Sequence, residues 1–431
     1  MPISVCSSAQ YLELRSKYEP DFSSAKKEQV LKIINAVKEK GDSALFGYAL
    51  EFDGAELEAL QVSRAELAEA QLKVKPELLA ALRAAASNVE KFHRRQLRKD
   101  WFIEDKKMKI GQRFLPLNRV GAYVPGGTAA YPSSVLMTVI PARVAGVKEI
   151  YICTPPGQDG NINVLTLAAA CEAGATAVFK IGGAQAIAAM AYGTQTVPRV
   201  DKIVGPGNIY VTLAKKELFG EVGIDMLAGP SEIVIVADDQ ARASYIAADL
   251  LSQAEHDPLS KSILITTSES LAYLVVEELE KQLLTLPRSE VATRSLKEQG
   301  AAIIVSDLEE AWPLVNNIAP EHLELHLKEA WHYLDRITSA GTVFVGPYTP
   351  EPLGDYWAGS NHVLPTGSAA RYASALGVDD FIKRSQVLYY EDEALRESAL
   401  QIAALARAEG LEAHARAVLI RGKEDEPPEE S

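Results

Sequence analysis

The stretch Glu232–Thr267, EIVIVADDQARASYIAADLLSQAEHDPLSKSILITT, decides the fold. It opens on an apolar run, EIVIVAD (232–238), and nearly closes on another, SILITT (262–267). Short continuous runs rich in Ile and Val read as strands covered on both faces. Between them, ASYIAADLLSQAEHDP spaces its apolar residues as a helix does, with Ile246, Leu250 and Leu251 on the buried face and Pro258 as the stop. Strand, helix and strand in this order make a βαβ unit, which implies a parallel sheet under helices.

The same grammar extends outward. KEIYICT (148–154), AVFKIG (177–182), DKIVGPG (201–207), AAIIVS (301–306) and GTVFVGP (341–347) read as further strands, separated by helix-length segments such as VLTLAAACEAG and AQAIAAMAYG. Seven or so strands over about 200 residues predict two α/β units, with a break near Ala228-Gly229-Pro230-Ser231. Upstream, residues 21–100 read as helices, one stopping at Gly41 and another starting near Pro76. Residues 385–420 read as a helical tail, and the acidic, proline-bearing GKEDEPPEES as a disordered end.

A chain of 431 residues exceeds one ordinary core, which predicts two or three domains. The net charge of −14 argues against a nucleic-acid partner, since such binding leans on Lys and Arg. An anionic cofactor remains open, because backbone N–H groups at helix starts can hold it. Three cysteines, Cys6, Cys153 and Cys171, form no disulfide framework and point to a reducing compartment. No apolar run approaches the roughly 20 residues of a membrane helix. The first residues, MPISVCSSAQYLELRSKYEP, lack the basic and apolar regions of a signal peptide.

The polar chemistry collects around four of the seven histidines. His93 in EKFHRRQ reads as solvated, and His326 and His332 in HLKEAWH as helix surface or edge. In SQAEHDP, Gln253 and His256 stand three apart and would share a helix face. They are either half of a metal site, with Asp355 and His414 as candidate partners by type, or the solvated end of a helix. Glu321-His322, after Pro320, offers a base near neutral pH, or else a capped turn at a loop or helix start. Gly126-Gly127, Gly182-Gly183 and Gly205-Pro206-Gly207-Asn208 each join a strand to a helix, a geometry that presents backbone N–H groups to phosphate. None of them is a complete dinucleotide fingerprint. Cys153 ends an apolar strand with no histidine nearby in sequence, and reads as a buried structural thiol rather than a nucleophile.

The blocks VGAYVPGGTAAYPSSVLM, IGGAQAIAAMAYGT, VDKIVGPGN, AGPSE, LLSQAEHDP, IAPEHLEL, GDYWAGSNHVLPT and EGLEAHARAV follow one another in an order that resembles the histidinol dehydrogenase family, from about residue 25 to 420. The resemblance implies an α/β fold of two incomplete Rossmann-like parallel-sheet domains with helical N-terminal and C-terminal extensions, in an intertwined homodimer. Residues 21–110 with 232–375 would form the first domain and 111–231 the second, after an N-terminal segment 1–20. Residues 376–422 would be a helical tail swapped onto the partner, and 423–431 a disordered end.

The implied activity is oxidation of L-histidinol to L-histidine through bound L-histidinaldehyde, the last step of histidine biosynthesis, in the cytoplasm. The implied cofactors are NAD and one Zn2+ per subunit. Residue by residue, Gln253, His256, Asp355 and His414 match metal ligands that also border the substrate. His414 would come from the partner. Glu321 and His322 match the catalytic pair. Ser231, His362 and Glu409 match substrate contacts, and Tyr123, Gln185 and Asn208 cofactor contacts. The alternatives are a related dehydrogenase acting on another amino or sulfo alcohol, and a zinc-stabilised protein that binds without turnover.

Overall fold

The computed structural model describes residues 1–15, 24–126 and 130–422; Gly127 of the first glycine turn and the acidic end lie outside the described residues. In chain order the first strands are β1 (Ser4–Ser7), β2 (Trp101–Glu104), β3 (Met108–Pro116), β4 (Arg119–Tyr123), β5 (Glu149–Thr154), β6 (Ala177–Lys180) and β7 (Lys202–Val204). There follow β8 (Gly223–Ile224), β9 (Glu232–Ala237), β10 (Lys261–Thr266), β11 (Ala301–Ile304), β12 (His322–His326), β13 (Thr342–Val345) and β14 (Ile382–Tyr390).

The chain divides into two compact units. The first, Met1–Gln96 with Leu117–Phe381, holds two parallel sheets. One runs β1-β11-β10-β9-β12-β13 and the other β6-β5-β4-β7-β8. The opening stretch folds as its pattern predicts: β9, a helix over Ala243–Ala254, then β10 paired in parallel from Glu232–Lys261 to Ala237–Thr266. Every residue of β9 is buried, which is why the run shows no alternation. The other strands read from the sequence are present as β5, β6, β7, β11 and β13.

Three sequence expectations are corrected. His322–His326 is a strand between β9 and β13, not a helix start with His326 on a helix surface. HLELH lacks β-branched residues, so propensity hides it. Leu323 and Leu325 enter the apolar core, and the polar residues alternating with them face a buried site instead of water. His93 is fully buried, with Nδ1 2.8 Å from the Val89 carbonyl and Nε2 facing the Asn361 side chain. The tail is not wholly helical. β14 pairs antiparallel with β3, which also pairs with β2, in a second unit made of Leu97–Pro116 and the chain from Ile382. The helices Asp392–Ala408 and Glu412–Leu419 belong to that unit.

The helices upstream of residue 97 pack differently from the grouping of 21–110 with 232–375. Val30, Ile33, Ile34 and Val37 of the helix Ser24–Lys40 share a core with Phe179 and Met190, on the sheet that contains β6. Val89 of the helix Pro76–His93 packs with Val120 and Ile140 in the core on the other side of that sheet. A strand near the N-terminus, β1, extends the other sheet beside β11.

Phe179 is nearly inaccessible and joins the helix to its sheet. Phe179→Ala should therefore cost about 3–5 kcal/mol through lost burial and a residual cavity. Urea unfolding would show a lower midpoint at unchanged slope; a loss under about 1 kcal/mol, the range of surface substitutions, would contradict this packing.

Candidate active site

The helix Leu308–Ile318 stops at Ala319, whose φ of 50° is left-handed and uncommon for a residue with a Cβ. Pro320 follows and leads into β12, so the chain turns sharply just before Glu321 and His322. Gly341 approaches the turn closely: its N–H donates to the Pro320 carbonyl at 2.9 Å, and a Cβ there would lie 2.5 Å from the Glu321 oxygen. Only glycine fits that approach.

One residue holds both members of the pair. The backbone N–H of Glu232 donates to Glu321 Oε2 at 3.0 Å, and its carbonyl lies 3.2 Å from His322 Nδ1. A carbonyl oxygen only accepts, so Nδ1 carries the proton and Nε2 keeps its lone pair. Burial holds His322 down to about 3, helped by the nearby His256 and His362. It is a neutral base at ordinary pH. Burial pushes Glu321 well above the usual carboxylate range against the hydrogen bond from Glu232, and Glu232, Asp355 and Glu351 add repulsion. Glu232 is buried too, with its carboxylate taken up by Lys261 and the Gly367 N–H.

Opposite His322, the short helix Glu351–Leu353 and the π-turn Gly354–Ala358 carry Glu351 and Asp355 one turn apart. A ligating atom from each of His322, Glu351 and Asp355 lies within 4.8 Å of the others. Burial raises both carboxyls; repulsion from Asp355 raises Glu351 further, while a hydrogen bond with Glu351 partly offsets the rise at Asp355. His362 Nδ1 is 3.7 Å from Asp355 Oδ1, and its Nε2 is 3.5 Å from Ser134 Oγ. Burial lowers His362 to about 4.

Gln253 is buried in the last turn of the helix Ala243–Ala254, while His256 lies exposed just past its end. The two share the helix terminus rather than one helix face. Gln253 Oε1 and His362 Nδ1 are buried and find no hydrogen-bond partner among the described residues. The unpartnered Gln253 oxygen beside crowded carboxyls offers lone pairs that a cation would satisfy. Amide, imidazole and carboxylate donors together suit zinc.

A second group of expected residues borders the sheet β6-β5-β4-β7-β8. Tyr123 ends β4, and its hydroxyl accepts the Gly183 N–H at 3.1 Å. Gln185 is buried in the helix opened by Gly183. Asn208 caps the helix Ile209–Leu218, its Oδ1 accepting from Tyr210 and Val211 at 3.0 and 3.2 Å. Gly205 holds the turn after β7 at φ 109°, where a Cβ would strike the Tyr123 carbonyl. Asp225 accepts the Gly205 N–H, and the buried Lys215 bonds both Asp225 and the Gly205 carbonyl. That buried pair fixes a turn that the glycine pattern alone only suggests.

Ser231 is half-buried directly before β9. Glu409 and His414 lie exposed in the second unit. Cys153 is fully buried and its thiol is pushed up by burial, as a structural cysteine's would be. Sequence reasoning missed Glu232 and Glu351. Glu351 was accessible through its four-residue spacing to Asp355; Glu232 acts through its backbone and left no side-chain signal.

A family model described as histidinol dehydrogenase matches residues 17–422. The chain belongs to the histidinol dehydrogenase family. It is 56% identical to a histidinol dehydrogenase of Moorella thermoacetica, over 91% of this chain and 93% of that protein. It is 53% identical to one of Halalkalibacterium halodurans, over 90% and 92%. The crystal structure of histidinol dehydrogenase from Elizabethkingia anophelis matches at a TM-score of 0.93 and 39% identity, covering 97% of this chain and 98% of that one. No helix among the described residues is long and apolar enough to cross a membrane.

The site's electrostatics set a pH dependence of stability. Burial raises Asp249 to about 8, reinforced by Glu324, and raises Glu324 to about 7. The folded chain keeps protons that the unfolded chain has lost, so this contribution falls as pH rises through 7 and 8. The buried histidines act oppositely, but only below their ordinary value near 6.5. Chelated protein should melt at progressively lower temperature from about pH 6.5 to 8, and Asp249→Asn should flatten the slope; a flat wild-type profile would contradict the assignment.

Proposed function

We propose that this chain oxidises L-histidinol to L-histidine in two NAD-dependent steps through a retained aldehyde, with Glu321 and His322 as the acid–base pair. Family membership supports the activity, an oxidoreductase reaction of histidine biosynthesis in a zinc-containing, NAD-dependent family. The observation that carries the residue roles is the double hold of the Glu232 backbone on Glu321 and His322. It supports distinct proton duties for two adjacent residues in one buried pocket.

When bound, zinc supplies positive charge that anchors the substrate's nitrogens, and NAD supplies the hydride acceptor. Gln253, His256 and Asp355 would hold the metal from one chain, with the partner subunit's His414 as the fourth ligand. His322 Nε2 takes the substrate's hydroxyl proton in the first oxidation. Glu321, whose carboxyl burial raises above the usual range, deprotonates the water that adds to the aldehyde. His322 Nε2, having passed its first proton to solvent, takes a second from the hydrate in the second oxidation. Ser231 and His362 border the substrate, joined by the partner subunit's Glu409.

Tyr123, Gln185 and Asn208 line the cofactor crevice. In support, the order β6-β5-β4-β7-β8 reverses direction between β4 and β7, and Tyr123 and the Gly205 turn sit at the carboxyl ends of those two strands. Crevices at such reversals hold dinucleotides in Rossmann-like sheets. An intertwined cytoplasmic homodimer completes the reading. Leu388, Leu400, Leu405 and Ile420 are well exposed in the second unit, an apolar surface that a partner chain would cover.

His322→Asn should slow oxidation of both histidinol and histidinaldehyde by about 10²–10⁴-fold, whereas Glu321→Gln should slow mainly the aldehyde step. Equal losses in Glu321→Gln, measured separately with alcohol and aldehyde, would refute this division. Mixing inactive Gln253→Ala and His414→Ala proteins under subunit exchange should restore part of the activity, since mixed dimers regain one intact site. No recovery would contradict the shared site.

A further inference from the structure

Beside the catalytic pair lies a second buried polar cluster that the proposed chemistry leaves unused. Residues 322, 324 and 326 alternate along β12 and project on one face. Glu324 is fully buried, His326 is 3% exposed and Asp249 8%. Glu324 Oε2 lies 3.1 Å from His326 Nε2, and Asp249 Oδ2 lies 3.5 Å from the same nitrogen. Glu324 Oε1 accepts the backbone N–H of Glu351 at 2.7 Å.

Three segments meet here. β12 carries Glu321 and His322 immediately before Glu324 and His326. The helix Ala243–Ala254 carries Asp249 one turn before Gln253, at the end that leads to His256. The turn that begins at Glu351 carries Asp355 one turn later. Each segment therefore places a group on, or next to, one buried carboxylate at its inner end and a proposed site residue at its outer end. Nε2 of His326 lies between the Glu324 and Asp249 carboxyls, and its Nδ1 is buried without a hydrogen-bond partner among the described residues. One oxygen of Glu324 is already committed to a backbone N–H. Buried polar groups of this kind are tolerated when paired, and they then specify one arrangement.

We propose that Glu324 is a positioning residue: with Asp249 and His326 it ties β12, the Gln253 helix and the Glu351–Asp355 turn into one geometry, so that Gln253, His256 and Asp355 converge on a metal. This rests on the zinc reading of those three residues. Outer partners of metal ligands typically govern affinity by about 10–100-fold.

The experiment measures zinc content and zinc Kd on full-length variants, together with the visible spectrum of the cobalt-substituted proteins. Glu324→Ala should weaken zinc by about 10–100-fold and change the cobalt band, while Glu324→Gln, which keeps an acceptor for Glu351, should restore most of both. Wild-type affinity and spectrum in a folded Glu324→Ala protein would overturn the proposal. If that variant does not fold, Asp249→Ala replaces it: a weakening of at least about tenfold supports the tie, and unchanged affinity overturns it. Gln253→Ala is the control. If it retains zinc fully, the ligand reading fails; if it loses zinc while the Glu324 and Asp249 variants do not, only the tie fails.

Discussion

The parallel pairing of β12 with β9 is the constraint on which the site depends. It sets His322 beside Ile233 and so brings the Glu232 backbone against Glu321 and His322. From that one register come the tautomer of His322 and the burial of Glu321, on which the proposed separation of their proton duties rests. A slip of one residue would turn Leu323 and Leu325 into the polar pocket and send His322 and Glu324 into the core. The sheet thus enforces the chemistry through apolar packing that takes no part in it.

The cost of this arrangement is concentrated charge. Glu232, Glu321, Glu324, Glu351 and Asp249 are all buried in the first unit, and Lys261 is the cation whose contact with this set is resolved, at Glu232. Raised carboxyls and lowered histidines are the chain's own response: protons are kept and positive charge is refused. The orphaned oxygen of Gln253 points to the complement such a pocket lacks on its own. A bound cation would supply it, which makes stability and ligand binding two sides of one electrostatic problem.

Much of this was legible in the sequence, for identifiable reasons. Ile- and Val-rich runs fully covered on both faces declared β5, β9 and β10 directly, and helix stops at Gly41 and Pro258 were read from their chemistry. β12 escaped because its polar residues face a pocket, so alternation suggested a solvated element. The same inversion hid His93, whose basic helix suggested water while its ring lies in the core. Nothing local marks β14 as a strand, because its pairing partner, β3, lies far away in sequence. At the site, motif order singled out Glu321, His322, Gln253 and His256 as types. Only the fold could add Glu232, which works through its backbone, and Glu324, which touches three segments separated by up to about a hundred residues.

The most direct test of the account is a crystal of the zinc-loaded protein measured at the zinc absorption edge. The account predicts one anomalous peak per chain, within bonding distance of Gln253 Oε1, His256 and Asp355 and closed by the partner subunit's His414. A peak among Asp249, Glu324 and His326, or none near Gln253 at full zinc content, would contradict it.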